Sequence, residues 1–130
     1  LKLMNLLKEE GLITPVAFDE RIEWEWFYLW HHEGRRARHG AAMMGPDYTQ
    51  WHGNFELAER FYMEMVPEIK EIIAHARKEG KTASANKVQA TLDEILNSEL
   101  HQWFLGKMSP EEAARRKEAA EAFRERYTTN

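Results

Sequence analysis

Between Phe55 and Ala76, apolar side chains recur every three or four residues. This spacing places them on one face of a long α-helix that packs along its whole length. Pro67 falls inside the pattern and predicts a kink, because proline lacks a backbone N–H. The positions that form this stripe are Phe55, Ala58, Tyr62, Met65, Ile69, Ile72, Ile73 and Ala76.

Glycines and prolines separate this helix from other periodic segments, and no segment alternates as a β-strand would. We therefore predict an all-α fold, a bundle with a short leading helix and four long ones, forming part of a larger oligomer. The leading helix ends at Gly11, which suits a C-cap. The predicted helices cover residues 2–10, about 15 or 19 to 44, 47–79, 84–105, with Trp103 on its apolar face, and 110 onward.

Capping residues predict where the long helices begin. Thr14 before Pro15, or Asp19 one turn later, would begin the first long helix. Asp47 follows the Gly45-Pro46 break and would cap the second. The last helix opens with SPEE, in which Ser109 caps the helix and Glu112 occupies the capping-box position.

Composition limits the classes of function. At 130 residues the chain has the size of one helical unit, residues 1–130. A net charge of -4 predicts no nucleic-acid partner. No apolar run approaches the roughly 20 residues of a membrane span. The chain has no cysteine, which excludes a C-x-x-C-H haem attachment and a thiolate nucleophile within it.

Basic side chains are concentrated directly after the aromatic run WEWFYLW, residues 24–30. On an α-helix, His32, Arg36 and His39 share one face. His31, Arg35 and Arg38 share a neighbouring face. Imidazole is a common ligand of haem iron, and guanidinium pairs with carboxylates such as haem propionates. The alternative is an exposed, solvated face whose basic groups pair with nearby acids such as Glu33.

A second pair, Tyr48 and His52, lies four residues apart in the next helix and shares one face. This spacing suits either a cofactor contact or two polar side chains at the edge of the core. Glu56 and Arg60 have the same spacing and predict a surface ion pair. The aromatic run is apolar nearly all round, which predicts that more than one surface covers it.

Together these residues form an ordered string from Trp30 to Tyr62, containing WHHEGRRARHG, DYTQWHG and FY. The string resembles the C-terminal helical region of the octahaem hydroxylamine oxidoreductase family, which includes the hydrazine dehydrogenases. The resemblance is strongest over residues 24–67, about a third of the chain. In the later helices, only helicity and a position near the end of the protein agree.

The resemblance implies a trimeric multihaem enzyme in which long C-terminal helices hold the subunits together. The catalytic haem, haem P-460, is linked covalently to a tyrosine of the neighbouring subunit, and Tyr48 matches that tyrosine. Histidines of this region would be distal ligands of other, c-type haem irons. His52 is the first candidate, His32 or its neighbour His31 the second, and His39 the third.

The tyrosine also implies the direction of the reaction. Related enzymes that lack it favour nitrite reduction, so Tyr48 implies oxidation of a small nitrogen substrate, hydroxylamine or hydrazine.

The resemblance further implies that arginines and glycines of the string contact the haems. Arginines would meet haem propionates, and glycines would allow a macrocycle to approach the backbone. These residues are Arg35, Arg36 and Arg38, and Gly34, Gly40 and Gly53.

The missing cysteines are a departure from the family, whose haems are attached through C-x-x-C-H. We therefore expect either the C-terminal piece of a longer polypeptide or a small subunit, not catalytic alone. A cysteine-bearing partner region would carry haem c and haem P-460. The resemblance further implies a homotrimer-type assembly, a redox acceptor protein and a periplasmic or equivalent compartment, including the anammoxosome lumen. The alternatives are a cofactor-free oligomerisation module and a stand-alone bundle that binds haem or a metal through histidines.

Overall fold

Helices dominate the computed structural model, which describes residues 1–102 and 104–128. No β-strand occurs in these two ranges, so the predicted all-α fold is confirmed. The predicted position of Trp103 lies outside the described residues. Backbone contacts divide the chain into two units, Leu1–Thr91 and Leu92–Asn130, which are described separately. The single helical unit over 1–130 stays a prediction.

The first unit contains a short helix and two long helical runs, each interrupted by π-helical turns. Helix α1 covers Lys2–Glu9. The first run consists of α2 (Arg21–Phe27), π1 (Tyr28–Glu33) and α3 (Gly34–Ala42). The second run consists of α4 (Pro46–Thr49), π2 (Gln50–Phe55), α5 (Glu56–Glu59), π3 (Arg60–Met65) and α6 (Val66–Lys78). Helix α7 covers Thr82–Leu96 and begins in this unit.

The two long runs fold back on each other at Gly45. Contacts join α3 to α4 and π2, π1 to π2 and α5, and α2 to π3, which is the order of an antiparallel pair. We call residues 21–65 the helical hairpin. The Gly45-Pro46 break is confirmed: Met44 has a positive φ of 53°, and Pro46 begins α4. Pro46 suits this place because its missing N–H has no helical acceptor there.

The buried apolar side chains of the first unit come mainly from α1, α6 and the start of α7. Met65, Ile69, Ile73 and Ala76 are buried, which confirms most of the second half of the predicted stripe, whereas Ile72 is half-buried. Phe55, at its beginning, is exposed. The π turns before α6 contain more residues per turn than α-helix, so a spacing of three and four does not keep one face there. The other buried apolar residues of this unit are Leu3, Met4, Leu7, Ile13, Ile22, Val66, Ala85 and Val88.

The observed helix ends agree only in part with the caps predicted from the sequence. Gly11 has a φ of +62° directly after α1, which confirms its role in ending that helix. The first long helix begins at Arg21, and neither Thr14 nor Asp19 caps it. Instead, the Thr14 hydroxyl donates to Asp19 Oδ2 at 2.7 Å within the preceding loop. Asp47 is also not a cap, because it lies inside the first turn of α4.

In the second unit, α7 ends at Leu96 and not at 105 as predicted. The Asn97 side chain donates to the Asp93 carbonyl at 2.8 Å, and such local bonds compete with helix continuation. A 3₁₀ turn follows over Glu99–His101. Helix α8 covers Pro110–Thr128, and the Glu112 N–H donates to Ser109 Oγ at 3.2 Å, which confirms the predicted cap. Among the described residues, no helix has the length and apolar character required to cross a bilayer.

Candidate functional site

The two arms of the helical hairpin come closest at two glycines. A Cβ at Gly53 would lie 2.5 Å from the Ala37 Cα, and one at Gly40 would lie 2.7 Å from Thr49 Oγ1. Only glycine fits at such distances. The expectation that these glycines admit a macrocycle is therefore wrong, because the opposite arm fills the space. At Gly34, an added Cβ would lie 3.3 Å from the Leu29 carbonyl oxygen of the same arm and 3.9 Å from Leu57 Cδ1 of the opposite arm, so the expectation for this glycine stays a prediction.

Next to this close contact, an open cavity of about 260 Å³ gathers most of the predicted site residues. Five of its six lining side chains are basic, the sixth is a phenol, and none is a carboxylate. The lining consists of His31, His32, Arg35, Arg36, His39 and Tyr48. Tyr48 comes from α4 and the others from π1 and α3, so the turn at Gly45 brings the two sequence motifs together.

The π turn explains why two predicted helix faces border one cavity. On an unbroken α-helix, His31 and His32 would belong to neighbouring faces. Both lie in π1, whose wider turn changes the angle between the residues before and after it. Arg38 is the predicted site residue of α3 that does not line the cavity, and it is exposed.

His31 is held in place by two neighbours. Its ring stacks on Phe27 with centroids 4.5 Å apart, and its Nε2 lies 3.1 Å from Arg35 Nη1. Because guanidinium only donates, Nε2 accepts this bond and the imidazole is neutral. Burial of the ring, together with the charge of Arg35, lowers the pKa of His31. Its Nε2 is thus already used by Arg35.

His52 differs from His31 in that its hydrogen-bond partner is a carboxylate acceptor and not a guanidinium donor. Its Nδ1 lies 2.8 Å from Glu56 Oε1, and the second carboxylate oxygen, Oε2, accepts from Arg36 Nη1 at 2.8 Å. In a neutral imidazole that donates through Nδ1 to this carboxylate, Nε2 keeps its lone pair. The Tyr48 ring lies beside the imidazole, with centroids 5.4 Å apart, and its side chain is 53% exposed. Tyr48 and His52 therefore form one outward-facing pair.

The same contacts overturn the predicted Glu56–Arg60 ion pair. Glu56 binds the opposite arm through Arg36, and Arg60 donates to Glu25 at 2.7 Å and to Glu33 at 2.9 Å. Glu33 is only 3% exposed, and its Oε2 atom is buried without a hydrogen bond in the described structure. Although partial burial opposes it, the two carboxylates raise the pKa of Arg60.

This ion-pair cluster, Glu25, Glu33 and Arg60, was not recognised from the sequence. Its signal was weak: glutamates appear inside an aromatic run, where a charged side chain needs a partner. The identity of that partner depends on the hairpin, since Arg60 is 27 residues from Glu33. A larger open cavity of about 670 Å³ lies beside the cluster, and four of its lining residues are glutamates: Glu33, Glu56, Glu59 and Glu64.

The aromatic run packs mainly on itself. Phe27 lies at its centre, with ring contacts to Trp24, Tyr28 and Trp30. The central rings are half-buried, whereas Trp24 and Trp30 remain 42% and 44% exposed. The described chain therefore covers one side of the run and leaves the two end tryptophans accessible.

A compact metal centre needs several ligands close together. Within residues 1–102 and 104–128, His, Cys, Asp and Glu side chains do not converge in threes in a way that could hold a metal ion. A bis-histidine haem needs only one imidazole on each side of its iron, so this observation addresses compact metal centres. Comparison of the chain with known protein families, curated proteins and solved structures gives no match.

Proposed function

We propose that this chain is a haem-contacting helical segment or subunit of a hydroxylamine- or hydrazine-oxidising multihaem enzyme. The proposal takes its chemistry from the family resemblance of residues 24–67. The observation that supports it is a cavity that residues of HHEGRRARH share with Tyr48 of DYTQWHG, while His52 lies beside Tyr48 and outside the lining. Tyr48 would supply the covalent link to haem P-460 of a neighbouring subunit, and His52 would be a distal ligand of a c-type haem.

The donor set of His52 fits a haem iron. Ligating histidines usually donate their second ring N–H to a carboxylate, which fixes the ring and the tautomer. Glu56 is in this position, and Arg36 holds the carboxylate from the opposite arm. His39 is exposed and His32 half-buried on the cavity. Among the candidate iron ligands, His31 fits least well, because Arg35 donates a hydrogen bond to its Nε2.

The size of the cavity indicates what part of a haem it would receive. Cofactor and ligand pockets usually have about 300 to 1,000 Å³. At about 260 Å³, this open cavity suits one edge group of a macrocycle and not the whole ring. The faces of the haem would then be covered by the cysteine-bearing partner region, in agreement with a chain that has no cysteine.

Each residue of the chain would have a limited task. A bound haem supplies the redox chemistry that oxidises the small nitrogen substrate. Tyr48 would anchor the haem edge, His52 would present its Nε2 to an iron, and the guanidinium of Arg35 would hold carboxylates. Arg36 would act chiefly through Glu56, while Arg38 would reach a propionate only from outside the cavity. Electrons would leave to a redox acceptor protein from a homotrimer-type assembly in the periplasm or an equivalent compartment.

Mass spectrometry of the natively purified protein, with an absorption spectrum, tests the proposal. We expect a Soret band and a Tyr48 peptide that carries haem mass or stays joined to a C-x-x-C-H peptide. Tyr48→Phe should abolish this link and the oxidation while the complex still assembles. Tyr127→Phe, on the exposed surface of α8, is the matched control. An unmodified Tyr48 peptide without a Soret band, or full activity of Tyr48→Phe, would contradict the proposal.

The ligand assignment has its own test. His52→Ala should change the low-spin spectrum of one c-type haem, because the iron loses an imidazole. His75→Ala is a close control: His75 is exposed and also lies four residues before a glutamate, with 3.7 Å between Nδ1 and Glu79 Oε1. An identical spectrum for both variants removes His52 as a ligand.

A second candidate is a cofactor-free oligomerisation module. Large apolar side chains are exposed around the turn of the hairpin, and such patches mark association surfaces. Met43 and Met44 are 81% and 90% exposed, and Trp51 and Phe55 contact each other in the open. This candidate predicts a homo-oligomer without a Soret band, which Trp51→Lys would dissociate. A haem-bearing complex that keeps its size in Trp51→Lys would rule it out.

A further inference from the structure

The cavity of about 260 Å³ has a lining that is positive and contains no carboxylate. We infer that it is a binding site for one small oxyanion group, a carboxylate or a phosphate-like ion, held by Arg35 with the Tyr48 hydroxyl and neighbouring imidazoles as further donors. Guanidinium and oxyanion are complementary in charge and in planar hydrogen-bond geometry. The chain as a whole carries -4, so this local excess of positive charge is not a consequence of composition.

Arg35 differs from the other arginines of the hairpin arms that have hydrogen-bond partners. Arg21, Arg36 and Arg60 each donate to glutamate oxygens at 2.7 to 3.0 Å. Arg35 donates instead to the neutral imidazole of His31. A neutral acceptor satisfies one N–H but leaves the positive charge without a counter-charge. An anion in the cavity would provide that counter-charge.

The neighbouring cavity strengthens the assignment by contrast. It shares His32 and Arg36 with the smaller cavity, but four glutamates line it. In that larger cavity Arg36 and Arg60 already bind carboxylates, so an incoming anion would meet repulsion. The two adjoining cavities therefore differ in the charge of the ligand they favour, and an anion would bind in the cavity of Arg35.

The site does not depend on the proposed haem function. If that function holds, the occupant is a carboxylate on the edge of a macrocycle. If it does not, the same donors serve a free inorganic or organic oxyanion. Because the test below uses neither haem nor a partner chain, failure of this inference and failure of the proposed function are separate results.

Titration of the full chain with sodium acetate and, separately, with inorganic phosphate, followed by NMR at constant ionic strength, tests the site. We expect saturable shifts confined to residues 31–39 and Tyr48. Preference for acetate indicates a carboxylate occupant and preference for phosphate a free oxyanion; both support the site. Shifts spread over the whole surface, or no saturation, overturn it.

Variants make the test specific. Arg35→Gln should weaken binding about tenfold or more, because one charge-assisted donor is lost. Arg115→Gln, which removes the same charge from the exposed surface of α8, should leave binding unchanged. Equal weakening by both variants would mean nonspecific attraction and overturn the inference. Since the localisation of the shifts is measured on the unmodified chain, a variant that fails to fold does not remove the test.

Discussion

The two ends of the helical hairpin differ in how the positive charge of an arginine is neutralised. At the end formed by α2 and π3, which we call the closed end, Arg60 donates to Glu25 and Glu33 and also lies 5.1 Å from the centre of the Tyr28 ring. At the end formed by α3, α4 and π2, the open end, Arg35 donates to an imidazole, and Tyr48 is exposed beside His52.

This difference predicts that the closed end contributes mainly to folding stability and the open end mainly to binding. Buried charges at the closed end have opposite charges within the chain, and removing one partner would leave the other uncompensated. At the open end, part of the positive charge and several aromatic or apolar side chains have no counterpart among the residues that the structure describes. We therefore expect substitutions at the closed end to affect folding most, and substitutions at the open end to affect binding most.

The largest expected effect is that of Arg60→Ala. This change leaves Glu33, which is 3% exposed, without its ion-pair partner. We expect the free energy of unfolding to fall by about 3 kcal/mol, as measured by urea denaturation. Arg38→Ala at the open end is the control and should change it by less than about 0.5 kcal/mol. Equal losses in the two variants would break the distinction between the ends.

Gly53→Ala should have the next largest effect, because the added Cβ would lie 2.5 Å from the backbone of Ala37. The arms must separate, which costs about 2 kcal/mol in thermal or chemical unfolding. Gly34→Ala is the control, since its Cβ would lie 3.9 Å from Leu57 Cδ1 of the opposite arm, an ordinary contact that does not force the arms apart. If Gly53→Ala proves neutral, the close packing of the hairpin is not what positions the open end.

Acid should weaken the closed end in a defined pH range. Burial alone would raise the pKa of Glu23 on α2, but the hydrogen bond and charge of Lys8, together with backbone hydrogen bonds from Glu20 and Phe18, outweigh it and lower that pKa below 4.5. A lowered folded-state pKa contributes stability above the unfolded-state value and loses it as pH falls through the folded-state value. Stability should thus decrease below about pH 4.5, and Glu23→Gln should flatten this part of the profile. An unchanged profile in Glu23→Gln would contradict the assignment.

The smallest expected effect on stability is that of Glu56→Ala at the open end. Its ion pair with Arg36 and its hydrogen bond with His52 are both partly exposed, so we expect a loss of about 1 kcal/mol or less. The orientation of His52 should change more clearly, because Nδ1 loses its acceptor. Nitrogen NMR shifts of the ring, which report the tautomer, should then show a mixture in place of the Nδ1–H form. A preserved tautomer would mean that Glu56 does not position His52.

Much of the fold was predictable because helix signals are local. The apolar period, Gly11 after α1, the Gly45-Pro46 break and Ser109 before α8 all act within a few residues. Helix α7 was predicted too long because its apolar period continues past Leu96. The side-chain bond of Asn97 that ends it leaves no signal in periodicity.

The candidate site was predictable as a set of residues but not as an arrangement. Local spacing grouped His32, Arg36 and His39, and it paired Tyr48 with His52. It also paired Glu56 with Arg60, which was wrong. Glu56 binds Arg36, 20 residues away, across the hairpin. The spacing rule treats one helix alone, and it has no information on what the facing helix offers.

By itself, the sequence determined an all-helical chain, the main breaks between its helices and a basic, aromatic region around Gly45. Hydrogen bonds within helices and capping interactions depend on neighbours along the chain, so they can be inferred from local patterns. The tertiary structure decided which charges were neutralised and which stayed open to a ligand. That choice follows from the antiparallel contact at Gly40 and Gly53, because only this approach brings Arg60 to the buried Glu33 and Tyr48 to the histidines of π1.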